Sequence, residues 1–314
     1  MKKIALLDTS IGTLNIGDKI IIDSINKEMK EMFKNNFVVN IPTHDKISNI
    51  SRNKIANSDF AFFGGTNALS SNMNTYNQWK VNLIDSSKIN NVILLGVGWW
   101  QYQKNPNLYT KILLNRLLSS KFNHSVRDNY TKEKLNSIGI KNVINTGCPT
   151  LWSLVPDHCR QIRSEKGKKV IFTLTDYNRN KHLDEKFINI LIDQYEEVYM
   201  WIQGSDDYEY AKELNRKIKF VNPSLVEFDK FLNNNSDADY IGTRLHGGIR
   251  AMQNKIRSII IGIDNRALEM GKDFNLNILD RNSIEKLSDI VNDDMKTDVK
   301  LNMDNINMWK NQFR

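Results

Sequence analysis

The chain has 314 residues, enough for about two domains and a sizeable buried core. With 40% hydrophobic and 25% charged residues it reads as globular rather than disordered, and 5 Pro with 15 Gly exclude collagen-like and Pro-rich linker designs. The net charge of +8 admits an anionic partner, but Lys and Arg are scattered among carboxylates, the pattern of a solvated surface. No Cys/His finger or aromatic RNP-like strand supports nucleic-acid readout. The two cysteines, Cys148 and Cys159, exclude a disulfide scaffold and suit a reducing cytosol. No run approaches the roughly 18 apolar residues of a membrane span.

The N-terminal MKKIALLDTSIG carries two lysines and a short apolar run, as a signal peptide does. Asp8 breaks the run, so residues 3–10 read as a buried first strand. A Gly-containing turn, TLNIGDKI, leads into a helix through about Lys34, with Ile21, Ile22, Ile25, Met29, Met32 and Phe33 at helical spacing. Strands follow at 37–42, 59–66 and 91–100, the last two carrying Gly64-Gly65 and Gly96-x-Gly98. A helix at 109–119, a strand at 123–128, a short helix at 131–140 and a strand at 142–149 close this half. The polar stretch 156–169 marks a domain boundary.

A second series then begins, with strands at 168–176, 198–204, 219–223, 239–242, 257–264 and 278–280. Helices are expected between them at FINILIDQY, DDYEYAKELNRK, LVEFDKFLNNN and LHGGIRAMQ, and a helical tail from about Ser283. Strands that stop at glycine-rich turns before helices predict parallel, doubly wound sheets with ligands at the carboxyl ends of the strands. The expected fold class is therefore α/β, with two Rossmann-like lobes and an active site in the interdomain cleft. An N-terminal domain is expected over 1–155 and a C-terminal domain over 168–314, the last helix packing back on the first domain.

The densest candidate site is TRLHGG, Thr243 to Gly248, between a strand and a helix. Arg244 offers a fork of donors for a carboxylate or phosphate, and His246 can exchange a proton near neutral pH. Leu245 lies between them, and Gly247 and Gly248 would let a ligand approach the helix N-terminus. The plainer reading is a helix start with a buried histidine. Asn15-Ile-Gly17-Asp18 has a similar design, and Asp18 reads either as a dipole-stabilised helix residue or as a group for a sugar hydroxyl.

Arg127, at a strand end, is either an anion ligand or the partner of Asp128. Gly65 and Asn67 belong to a turn that offers backbone and side-chain polar groups. Trp99 and Trp100 are either sugar-stacking rings or core. The remaining histidines, His44, His124, His158 and His182, share no metal-ligand spacing, and no metal site is expected. G-x-G-x-x-G and Walker patterns and a G-x-S-x-G elbow do not occur.

The segment IGTRLHGGIRAMQNKIRSIIIGIDNRALEMGKDFNL (241–276) resembles the C-terminal signature of the polysaccharide pyruvyl transferase family: a Gly-x-Arg-Leu-His turn, an apolar strand, then Asp264 and the basic Arg266. NIGDKII, FFGGTNALS and SVRDNYTKEKLNSIGIKNVINTGCPTLW are similar to the family as well, so the likeness touches both halves. Two departures stand out. Cys148 precedes Pro149 where the family often has aspartate, and Lys255-Ile256-Arg257 replaces the usual small residue and proline.

The resemblance implies a GT-B-like fold and a transferase that moves the enolpyruvyl group of phosphoenolpyruvate onto hydroxyls of a surface-polysaccharide sugar. The product would be a pyruvate ketal, with phosphate released and no cofactor. It implies His246 as acid, Asp18 as base, and Arg244 and Arg127 as anion anchors. Leu245, Gly247, Gly248, Asn15, Gly17, Gly65 and Asn67 would line the substrates. The acceptor would be a sugar or a lipid-linked oligosaccharide, and the setting cytoplasmic, with peripheral contact at the inner membrane face. Two alternatives stand beside it: a nucleotide-sugar glycosyltransferase on the same fold, and a non-catalytic sugar-binding module.

Overall fold

Short apolar runs that end at a glycine or a polar turn become parallel strands, because each crossover helix can then cover a sheet face. The computed structural model describes residues 1–214 and 218–314 and divides into two units. The first comprises Met1–Thr13, Ile21–Trp152 and Leu301–Arg314; the second comprises Leu14–Ile20 and Ser153–Lys300.

In the first unit, β1 (Lys3–Asp8), β2 (Phe37–Pro42), β3 (Phe60–Gly64) and β4 (Val92–Leu95) form a parallel sheet in the order β2-β1-β3-β4. A parallel pair, β5 (His124–Val126) and β6 (Val143–Asn145), follows on beside β4, where the Gly96 N–H donates to the Ser125 carbonyl at 3.1 Å. The helices are α1 (Ile16–Met32), α2 (Asn49–Ala56), α3 (Leu108–Leu117) and α4 (Asn129–Ser137). Asp128 caps α4 by accepting the Thr131 N–H at 2.7 Å, so its carboxylate meets an orphan donor of the first turn. One sheet face packs Leu7, Phe63, Leu94 and Trp99 into a core with Trp79 and Leu113.

In the second unit, all six strands are parallel: β7 (Lys169–Thr173), β8 (Glu197–Trp201), β9 (Lys219–Val221), β10 (Ala238–Gly242), β11 (Ser258–Gly262) and β12 (Ile278–Asp280). Their order, β12-β11-β10-β7-β8-β9, is the doubly wound Rossmann arrangement, which reverses direction between β7 and β10. The helices are α5 (Pro156–Cys159), α6 (Lys181–Gln194), α7 (Asp207–Leu214), α8 (Leu225–Asn234), α9 (Leu245–Gln253), α10 (Asn265–Phe274) and α11 (Leu287–Asn292). The terminal helix α12 (Met303–Asn311) belongs to the first unit, where Phe62 meets Trp309 and Phe313 edge-on at 5.9 and 5.0 Å. No helix among the described residues is long and apolar enough to cross a membrane.

Five elements differ from the sequence reading. The strand expected to run to Trp100 ends at Leu95, because Gly96 takes φ +65° and turns the chain. Helices α2 and α10 are not expected from the sequence: α2 buries only Ile55, whereas α10 buries Ala267, Met270 and Phe274 along one face, a short stripe interrupted by charged residues. The expected C-terminal helix breaks into a 3-10 turn, α11, an irregular stretch and α12. The helix expected over 206–217 reaches Leu214, and 215–217 lie outside the described residues.

The unusual Arg257 has a structural role. Its fully buried Nη1 donates to Asp239 at 2.9 Å, and Nη2 donates to the Val291 and Asp293 carbonyls at 3.2 and 3.0 Å, closing the end of α11. Asp239 also accepts from Arg163 at 2.6 Å and from Tyr195 Oη at 2.7 Å. Removing that carboxylate leaves buried charge uncompensated. Asp239→Ala is expected to lose about 3–5 kcal/mol of unfolding free energy, measured by urea titration.

His124 is buried with Nε2 2.9 Å from the Ser119 carbonyl and Nδ1 accepting the Leu94 N–H at 3.2 Å. That pair of partners requires the neutral ring, with the proton on Nε2. Burial lowers its pKa from 6.5 to about 4, opposed by the Ser119 bond. The folded chain therefore binds fewer protons than the unfolded chain. The resulting stabilisation is whole above pH 6.5 and is lost as the pH falls toward 4. Acidification from pH 7 to 4.5 should cost about 2–3 kcal/mol through this residue. His124→Asn should flatten that part of the curve, and an unchanged slope would refute the assignment.

Candidate active site

Open α/β sheets bind ligands where the strand order reverses, at the carboxyl ends of the strands. In the second unit that point lies just beyond Thr173 of β7 and Gly242 of β10, and the chain places Thr175, Asp176, Thr243 and Arg244 there. The Thr175 and Thr243 hydroxyls meet at 2.7 Å across it. The Thr173 and Tyr240 hydroxyls meet at 2.6 Å, and Tyr240 Oη donates to the Arg244 carbonyl at 2.8 Å, fixing the β10–α9 turn.

Arg244 is almost wholly buried. Its Nε donates to the Leu174 carbonyl at 3.1 Å, and its Nη2 donates to Asp176 at 2.8 Å and to Asp207. Burial pushes the Asp207 carboxyl up, against the pull of Arg244 and of the Gly204 N–H that it accepts at 2.7 Å. Tyr177 lies with its ring 5.1 Å from the Arg244 guanidinium and 5.6 Å from that of Arg266. Arg266 also reaches the Tyr177 hydroxyl and bonds Asp264, the N-cap of α10. Two guanidinium groups thus face three carboxylates, so this cluster carries no surplus of positive charge.

The Asn15 segment joins the same unit. Asn15 pairs in an antiparallel bridge with Gly204, the Ile16 N–H donates to the Gln203 carbonyl at 2.9 Å, and Gln203 Nε2 donates to Asn15 Oδ1 at 3.0 Å. Gly17 takes the same Oδ1 through its N–H at 3.0 Å, and a β-carbon there would sit 2.7 Å from Gln203 Nε2. Asp18 is buried in the first turn of α1.

Leu245 and His246 are buried in the first turn of α9. What Gly247 and Gly248 accommodate is protein: added β-carbons would meet Tyr240 Oη at 2.7 Å and Ile260 Cγ1 at 2.6 Å. The buried Gln203 Oε1, beside Gly247, has no hydrogen-bond partner.

Arg127, Gly65 and Asn67 come together in the first unit. Gly65 and Thr66 both take left-handed backbone, at φ +67° and +56°, and turn the chain sharply out of β3. The Thr66 carbonyl accepts the Gly98 N–H at 2.9 Å. The bare α-carbon of Gly98 lies against the Arg127 guanidinium. That guanidinium is buried, bonds Asp128 through Nε at 3.1 Å, and leaves Nη2 without a partner. Asn67 Oδ1 is likewise buried and unpartnered. Trp99 is core, its Nε1 donating to Ser71 and Gln103, whereas Trp100 is half-buried.

Sequence reasoning reached the arginines, His246, Asp18 and the turns. It passed over Asp176, Tyr177, Gln203 and Asp207. Only the position of Thr-Asp at the end of an apolar run, LTD, signalled any of them.

Parallel sheets with this topology define an α/β protein of the GT-B-like class. The chain spans 99% of itself and 91% of the S. aureus MnaA–UDP co-structure at a TM-score of 0.53 and 12% identity. It spans 98% of itself and 89% of a protein assigned as a UDP-N-acetylglucosamine 2-epimerase from Listeria monocytogenes, at 0.51 and 10%. At such identities the likeness is one of fold. No curated relative matches by sequence. Residues 15–265 match the family model of polysaccharide pyruvyl transferase, and the chain belongs to that family, whose membership implies a transferase.

The Arg244 and Arg127 guanidinium groups each lie against a bare glycine. A methyl at Gly204 would strike Arg244 Nη2, and one at Gly98 would strike Arg127. Gly204→Ala and Gly98→Ala are each expected to lower unfolding free energy by about 1–3 kcal/mol in denaturant titrations. Full wild-type stability in either would show that the arginine does not need that space.

Proposed function

We propose that this protein transfers the enolpyruvyl group of phosphoenolpyruvate to two hydroxyls of a saccharide, forming a cyclic pyruvate ketal and releasing phosphate. The observation that carries this reading is that residues 15–265, matched by the family, hold three buried ionisable groups: Arg127 just after β5, and Asp18 and His246 in the first turns of α1 and α9. Phosphoenolpyruvate presents a carboxylate and a phosphate. Of the two buried arginine candidates, Arg127 has a free arm, whereas Arg244 is held by two carboxylates. Arg127 is therefore the anion anchor, and Arg244 is the group that fixes the turn before His246.

The chemistry needs one proton delivered to the methylene carbon, which makes C2 electrophilic. One sugar oxygen then bonds C2. A second displaces phosphate, which leaves with the C2–O bonding pair. Of the two hydroxyl protons, one balances the new methyl group and the other leaves with phosphate or solvent. His246 is the proton donor and Asp18 the acceptor from the sugar hydroxyl. The orphan carbonyl oxygens of Asn67 and Gln203 suit sugar hydroxyls, which can donate to them. Reaction from the cytoplasmic side and a lipid-linked acceptor are part of the same proposal; the net charge of +8 suits an anionic surface.

Thermal unfolding tests the donor. Phosphoenolpyruvate at about 100 times its Kd should add roughly 2.7 kcal/mol, a shift of several degrees in the wild type. The shift should vanish in Arg127→Ala and be weakened in Arg127→Lys. His246→Asn should keep it while turnover falls about 10²–10⁴-fold. Stabilisation by UDP-N-acetylglucosamine alone would overturn the reading in favour of a nucleotide-sugar transferase.

A further inference from the structure

The two adjacent tryptophans after β4 have opposite fates. Trp99 is fully buried, with its N–H bonded to Thr131 Oγ1 at 2.9 Å and its indole nitrogen to two acceptors. Trp100 faces the other way and is half-buried. Its ring stacks on Tyr76 with centroids 3.8 Å apart and planes 21° from parallel.

The pair is held rigidly. The Trp100 N–H donates to the Leu69 carbonyl at 2.7 Å, the Leu69 N–H donates to the Gly98 carbonyl at 3.3 Å, and Gln78 Nε2 donates to Tyr76 Oη at 3.0 Å. Gln101 takes φ +54° and turns the chain away directly after Trp100. Beyond that turn, the exposed Tyr102 rests edge-on against Tyr130 at 5.2 Å.

Place gives the pair its meaning. Trp100 is two residues from Gly98, whose α-carbon lies against the Arg127 guanidinium. Asn67, with its orphan Oδ1, is two residues before Leu69, which is bonded to both Gly98 and Trp100. A fixed, half-buried aromatic pair, on a loop next to one that carries an orphan acceptor, matches a pyranose. The C–H face of such a ring is apolar and its rim carries hydroxyls that both donate and accept. We propose that Tyr76 and Trp100 form a stacking platform for the acceptor sugar, a subsite that rests on the pyruvyl-transfer reading for its role and on the aromatic geometry for its existence.

Saturation-transfer NMR with methyl β-glucoside, methyl β-galactoside and methyl β-N-acetylglucosaminide at millimolar concentration tests it. The wild type should transfer saturation to the ring protons of at least one of them. Trp100→Ala should weaken that binding about tenfold, and Trp100→Phe should restore part of it. The thermal shift with phosphoenolpyruvate should be the same in all three proteins. No transfer in the wild type, or unchanged transfer in Trp100→Ala, would overturn the platform. If Trp100→Ala does not fold, Trp100→Phe and Tyr76→Ser decide in its place, and wild-type binding in both would overturn it. Glycoside binding that depends on Trp100, with no phosphoenolpyruvate shift in the wild type, would leave the platform standing and remove the pyruvyl donor.

Discussion

A guanidinium taken out of water must find carboxylates or carbonyls, because its hydration is worth several kcal/mol. Among the described residues three arginines are buried, and each is met differently. Arg257 has Asp239 and a fan of backbone carbonyls, and it holds the end of α11 against β10 and β11. Arg244 has Asp207, Asp176 and the Leu174 carbonyl, and it ties the ends of β7 and β10 to the start of α7. Arg127 has Asp128 alone and keeps one buried arm without a partner. The first two arginines spread their charge over several acceptors. The third keeps a buried Nη2 with no partner among the described residues.

The sheets make these arrangements available. Parallel strands bring all their carboxyl ends to one edge, so the loops after β3, β4 and β5 gather in the first unit and those after β7, β8 and β10 in the second. Glycine sits where side chains must come closest. Gly98 and Gly204 make room for guanidinium groups, and Gly247 and Gly248 let α9 lie directly on Tyr240 and Ile260. The same glycine-rich turns that resemble ligand loops in the sequence are, at α9, an element of packing.

Charge and shape then divide the labour. The second unit offers a closely balanced cluster of arginines and aspartates around Tyr177, with His246 at the start of α9. The first offers an unspent guanidinium arm, an orphan amide oxygen and a stacked aromatic pair on adjoining loops.

The sequence by itself determined the α/β class, most of the strands and the family. KIALLD, FVVNIP and ILD are short apolar runs that read as strands without distant information, and the Arg-Leu-His turn is local in sequence. The tertiary structure decided what each charge is for. Arg127 and Arg244 look alike as strand-end arginines, but one meets a single neighbouring carboxylate and the other meets Asp176 and Asp207, which are 68 and 37 residues away. Trp99 and Trp100 are likewise indistinguishable until the chain turns one inward and the other onto Tyr76. Helix α2 escaped notice because it buries one residue, and β4 stopped early because Gly96 takes a left-handed φ. Burial patterns are written along the chain. Desolvation and pairing depend on which distant groups arrive beside them.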